Sequence, residues 1–127
     1  MIKESVMTVV RLFLLWDDFQ PAPDSVNKIA LANLIKVADI AAEHGLDVTF
    51  FTGHMSGPDW SPRWLLGGDL PPKAHRHWLR DVVSEGRKTD KGYRNMFHDE
   101  MALNATRLLL KTVIGTLKDH PAIWMWW

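Results

Sequence analysis

The sequence has no cysteine. That removes disulfides, thiolate nucleophiles and cysteine-based zinc sites together. It also lacks an excess of either charge, since 15 basic residues balance 15 acidic ones. No net field favours nucleic acid or an anionic membrane, and no basic stripe or like-charge block appears, so neither partner is expected. No uninterrupted apolar stretch approaches the ~20 residues that a bilayer span needs. The opening "MIKESVMTVVRLFLLW" is basic and then apolar, as a leader would be. Arg11 interrupts it, however, and no small-residue cleavage site follows before "DDFQP", so it reads as mature structure and the expected location is cytoplasmic.

What is present is the make-up of an ordinary globular protein: 127 residues, 46% apolar and 24% charged. This length suits one domain over residues 1–127 and can bury a core. "TVVRLFLLW" (Thr8 to Trp16) is β-branched and aromatic on both faces, which predicts a strand covered on both sides. Pro21 and Pro23 break "DDFQPAPDS", and Asp24 or Ser25 can cap a helix running to about His44. Its apolar stripe is Leu31, Leu34, Ile35, Ala38 and Ala41, and Gly45 is placed to end it in the left-handed conformation. "LDVTFFT" follows as a second two-faced strand. Strand, helix and strand with short links make a βαβ unit, hence a parallel sheet with a right-handed crossover.

From Gly53 to about Met96 the rhythm stops, in a segment holding four prolines, six glycines and three tryptophans. A short helix around Ala74 to Glu85 is the one element expected within it. A second amphipathic helix is predicted from about Asp99 to His120, with Ala102, Ala105, Leu109, Val113 and Leu117 on one side. Pro121 ends it, and "AIWMWW" is a third strand. Strict alternation there turns Ile123, Met125 and Trp127 one way and Trp124 and Trp126 the other. Burying three indoles covers roughly 450–750 Å², worth on the order of 10 kcal/mol at most. Whole domains are stable by only about 5–15 kcal/mol, so such rings are expected to be enclosed. Three parallel strands leave two open edges. The expectation is therefore an α/β, part-barrel fold completed by self-association as a homodimer or homotetramer, with Trp124, Trp126 and Trp127 at the subunit contact.

Three stretches carry a resemblance: "VVRLFLLWDDFQP", "GLDVTFFTGHMSGPDWSPRWLL" and "LLLKTVIGTLKDHPAIWMWW". Together they resemble consecutive pieces of (β/α)8-barrel glycoside hydrolases of the family 5-like cellulase and β-mannanase type, from strand 2 to strand 4. The resemblance covers nearly the whole chain and implies a partial TIM-type barrel. In that family an arginine near strand 2 lies beneath the active site and helps hold the catalytic nucleophile, and Arg11 matches it. The family's acid/base Glu follows strand 4 and its nucleophilic Glu lies on strand 7. Neither has a counterpart before Trp127, so the inherited two-carboxylate mechanism is not expected of this sequence.

Barrel sites lie at the carboxyl ends of the strands. By the resemblance, the residues there are Arg11, Trp16, Asp18, Gln20 and Trp60 for substrate, with Trp16 and Trp60 able to stack on sugar faces. The adjacent Asp17 and Asp18 could replace the missing carboxylates, set against their reading as a solvated loop that caps or turns the chain. "TGHMSGPDW" places His54, Ser56 and Asp59 within six residues, the types an acyl-transfer site uses. Its G-x-x-S-G pattern misses the G-x-S-x-G elbow, and loop hydrogen bonding is the competing reading. His75 and His77 in "HRHW" lack a third ligand, so no metal site is expected, and no cofactor either. Two functional classes follow. One is a hydrolase-derived barrel with residual glycosidase activity, or weak carboxylesterase activity through Ser56 and His54. The other is a non-catalytic, self-associating fold that binds carbohydrate weakly.

Overall fold

The computed structural model describes residues 6–51, 61–68, 83–84, 86–88, 91–95 and 97–126. Among these the chain runs β1 (Val9–Phe13), α1 (Trp16–Phe19), α2 (Lys28–Glu43) and β2 (Asp47–Phe51). A 3-10 turn (Arg63–Leu65) leads into β3 (Leu66–Gly68), followed by β4 (Val83–Ser84), β5 (Arg87–Lys88) and β6 (Gly92–Tyr93). The last two elements are α3 (Glu100–Leu117) and β7 (Ile123–Trp126). The main sheet is parallel, in the order β1-β2-β7, and the short strands form two antiparallel pairs, β3 with β6 and β4 with β5. The expected helix around Ala74 to Glu85 lies largely outside the described residues.

The helices form where their apolar residues share a face. In α3 the buried residues are Ala102, Ala105, Leu109, Val113 and Leu117, the stripe that the spacing predicts. In α2 they are Leu34, Ala38 and Ala41, with Leu31 and Ile35 packed against them. The start of α2 differs from expectation. Asn27, and neither Asp24 nor Ser25, is the cap, because its side chain accepts from the Ile29 and Ala30 amides while its own amide bonds back to the Phe19 carbonyl. At the other end Gly45 adopts φ +60°, the left-handed stop that its position announced.

Both long helices cover one face of the sheet. Val48 and Phe50 of β2 are buried in a single cluster with Leu34, Ala38, Leu109, Val113 and Leu117. Val10 and Leu12 pair with them in register and pack against the same cluster. The alternate positions, Arg11 beside Thr49 and Thr49 beside Met125, belong to the opposite face. Arg11 and Phe13 are exposed there, so β1 is not the doubly covered strand that its composition suggests. It also stops at Phe13, because Leu15 and Trp16 turn into α1.

The β2–β7 ladder contains an irregularity. Val48 pairs with Ile123, Thr49 with Met125 and Phe50 with Trp126, so Trp124 is the additional residue. The expected alternation is broken accordingly. Ile123 and Trp126 pack against the core, Trp126 lying 5.2 Å from the Phe50 ring, while Trp124 is 61% exposed. Trp127 lies outside the described residues. A side-chain link closes this end of the layer: His120 Nε2 lies 3.1 Å from Asp39 Oδ1 on α2, and the Ala122 amide donates to His120 Nδ1.

Candidate functional site

The carboxyl end of β1 is organised by a carboxamide. Gln20 is fully buried, and its Oε1 accepts from the Trp16 indole N–H at 2.7 Å. Its Nε2 donates to the Pro23 carbonyl at 3.0 Å and to the Ala105 carbonyl of α3 at 2.9 Å. The Gln20 backbone carbonyl in turn accepts from the Trp64 indole N–H at 2.8 Å. Trp16 and Trp64 meet edge to face, with centroids 5.4 Å apart and planes at 87°. All three strong polar capacities of the Gln20 side chain that face the interior are thus met, as burial requires.

Two of the residues singled out in the sequence meet in this network. Trp16 and Gln20, placed by the resemblance in a sugar cleft, are enclosed within this chain and hold the first loop against α3. The physical reason is local: residues 16 and 20 are one helical turn apart, so the indole N–H of one meets the amide of the other. Trp64 was not singled out by sequence reasoning. An indole that must find an acceptor once buried was the available signal, but its partner is a backbone carbonyl that carries no sequence mark.

Asp17 and Asp18, exposed in the first turn of α1, line a groove of about 620 Å³ on the outer side of β1. Its apolar wall includes Leu12, Phe13, Phe19, Ile29 and Val37. Successive helical residues point about 100° apart, so this pair does not present two carboxyls to one bond. Arg11 lies on the opposite face of β1 to Leu12, in register with Thr49. His54, Ser56, Asp59 and Trp60 lie outside the described residues. Among the described residues no three His, Asp or Glu side chains gather to hold a metal ion. No described helix is long and apolar enough to cross a membrane.

A second polar cluster sits at the start of α3. Asp99 caps the helix through the Ala102 amide, and its other oxygen takes Arg94 Nη1 at 2.8 Å. These contacts, the helix amide first and the guanidinium second, hold the Asp99 carboxyl below the usual carboxylate range. The Arg94 amide also bonds to the Leu65 carbonyl, so the cluster fastens β3 and β6 to the helix.

Three parallel strands with helices on one face, each crossover leading to the next strand, define part of a (β/α) barrel. Comparison with solved structures makes this specific. A GH5_18 from Bifidobacterium longum subsp. infantis superposes at a TM-score of 0.69 with 28% identity, over 98% of this chain and 25% of its own. A GH5_18 from Bifidobacterium longum subsp. longum gives the same TM-score and coverage at 31% identity, and a variant of it is solved in complex with Manb1-4GlcNAc. An exo-beta-1,4-mannosidase from Opitutaceae bacterium strain TAV5 matches at 25% identity and a TM-score of 0.56, over 87% of this chain and 16% of its own. The chain is a GH5-like part-barrel, spanning about a quarter of the length of the GH5_18 structures it matches. No protein-family model and no curated protein matches it.

Proposed function

We propose that this chain is a glycoside-hydrolase-derived barrel segment that contributes carbohydrate-binding wall without itself carrying out hydrolysis. The observation that supports this most is the match to GH5_18 structures over 98% of the chain at 28–31% identity, one of them holding a β-mannosyl disaccharide. Retaining hydrolysis needs two carboxyls about 5 Å apart across the scissile bond. In the helical turn that directly follows β1 the carboxylates are Asp17 and Asp18, neighbours whose side chains leave the turn about 100° apart. The sugar-facing surface is then the face of the sheet that carries the exposed Arg11 and Met125, opposite the helices. Esterase chemistry through Ser56 and His54, with Asp59, is the second reading. It rests on residue types alone.

Titration with Manb1-4GlcNAc followed by NMR, together with assays on aryl β-mannosides and short-chain aryl esters, tests the proposal. The expected result is weak disaccharide binding that shifts resonances of Arg11 and Met125, with no glycoside turnover. Glycoside turnover that disappears in Asp17→Asn would overturn it. Ester turnover abolished by both Ser56→Ala and His54→Ala would move the assignment to the second reading.

A further inference from the structure

The join between α3 and β7 turns on one imidazole. Pro121 has no N–H, so Ala122 carries the first amide after His120, and that amide donates to His120 Nδ1 at 3.2 Å. An imidazole nitrogen that accepts carries no proton. The proton of the neutral ring is therefore on Nε2, which lies 3.1 Å from Asp39 Oδ1 on α2 and donates to it. The ring is sheltered, with 15% of the side chain exposed against 59% for Asp39. Ala122 is buried, and its carbonyl accepts from the Val48 amide at 2.7 Å, beside the Val48–Ile123 pair where β7 joins β2. The charged groups around the ring come from three elements. On α2, Lys36 and Glu43 stand about a turn to either side of Asp39, and His44 ends the helix. On the ring's own connection Lys118 is paired with Asp119, and Asp47 opens β2.

We infer that His120 is a proton-operated latch on the α3–β7 connection: the neutral ring holds both Ala122 and Asp39, and the charged ring keeps Asp39 and releases Ala122. The inference stands apart from the carbohydrate reading. The step is the addition of one proton from solvent to Nδ1. The ring then has two N–H donors and no acceptor. The Ala122 N–H and the new Nδ1–H face each other across 3.2 Å and cannot both stay. Nε2–H still meets Asp39, now in a charge-assisted bond, so the ring pivots about α2 rather than leaving it. A buried amide without an acceptor is costly. Ala122 escapes that cost by turning towards water, which loosens its carbonyl's bond to Val48 and with it the first pair of the β2–β7 ladder. Histidine is the side chain that ordinarily changes charge between about pH 5 and pH 8.

NMR of the imidazole nitrogens and backbone amides, taken across about pH 8 to pH 5, tests this on the intact chain. At the upper end the His120 ring should show a proton on Nε2 and none on Nδ1. On acidification the Ala122 and Val48 amide resonances should move with the ring signals along one titration curve. Amide exchange at Ala122, corrected for its intrinsic pH dependence, should quicken about fivefold or more, as loss of a buried hydrogen bond implies. His120→Asn places Oδ1 where Nδ1 stood, an acceptor for the amide two residues on that takes up no proton. In that variant, its fold verified by circular dichroism, Ala122 and Val48 should stay fixed over the same range. Asp39→Asn keeps an acceptor for Nε2–H without the charge, so the transition should move to lower pH. A proton on Nδ1 at the upper end overturns the inference, and that reading needs no variant. So does an Ala122 amide that ignores the charging of the ring, or one that still moves in His120→Asn, since His44 or Asp47 would then be the cause. A transition that Asp39→Asn leaves in place overturns it too.

Discussion

Gln20→Met keeps the length of the side chain and removes every polar contact it makes. The Trp16 indole N–H then stays buried with no acceptor, at a cost of about 1–3 kcal/mol. The Pro23 carbonyl is partly accessible and can turn to water, and the Ala105 carbonyl lies within α3, where it keeps its helical acceptor role. Their losses are therefore the ordinary ~1 kcal/mol or less each. The expected destabilisation is about 2–4 kcal/mol, a large share of the 5–15 kcal/mol typical of a whole domain. Urea unfolding followed by far-ultraviolet circular dichroism reads it as a lower midpoint at unchanged slope. Gln20→Glu supplies a control of opposite logic. Its carboxylate could still accept from Trp16 but would face the Pro23 and Ala105 carbonyls, so the ionised form is disfavoured and its folded pKa rises. Below about pH 4.3, the unperturbed glutamate value, both states are protonated and the deficit is smallest. As pH climbs above that value the unfolded chain ionises first and the deficit grows. A Gln20→Met variant within about 0.5 kcal/mol of the parent, or a Gln20→Glu variant insensitive to pH, would refute the account of this residue as the fastening between the first loop and α3.

Glycine substitutions should split by position. A Cβ on Gly68 would lie 2.9 Å from the Tyr93 carbonyl oxygen and 3.0 Å from Arg94 backbone atoms, so Gly68→Ala should cost about 1–3 kcal/mol through displacement of β3 from β6. Gly115, in α3 with nothing within 4 Å of the added carbon, should gain about 0.5–1 kcal/mol as alanine. Thermal midpoints of the two variants should move in opposite directions. Asp99 has a lowered pKa, so its contribution is present above the unperturbed carboxylate value and fades as pH falls through the folded one. Asp99→Asn retains a capping oxygen but not the ion pair with Arg94, so its unfolding midpoint should fall less steeply between pH 5 and pH 2 than that of the parent.

The sequence was most legible where burial repeats at the helical period. The stripe of α3 needed nothing beyond its own residues, since Ala102, Ala105, Leu109, Val113 and Leu117 all turn to the same cover. The βαβ order was equally visible, because short links and two apolar runs leave few alternatives. Boundaries were harder. "TVVRLFLLW" shows no compositional break at Phe13, although the strand stops there and Trp16 begins a helical turn. Asp24, Ser25 and Asn27 can all cap a helix, and the choice fell to the one whose backbone amide the Phe19 carbonyl receives. The displaced Trp124 could not be read at all, since period-two alternation assumes an unbroken ladder. Of the candidate site, Asp17 and Asp18 lie in the helical turn that follows the first strand. The bond from Gln20 to Ala105 joins residues 85 apart, and no local pattern encodes such a pairing.

That last pairing has a kinetic consequence. A bond spanning 85 residues can form only after the first loop and the third helix have found each other, and closing so long a loop is entropically costly. Phe50 likewise waits for Trp126 to arrive from the far end of the polypeptide. The early βαβ half therefore has no finished interior of its own, and its packing should be completed late, once these distant contacts have formed.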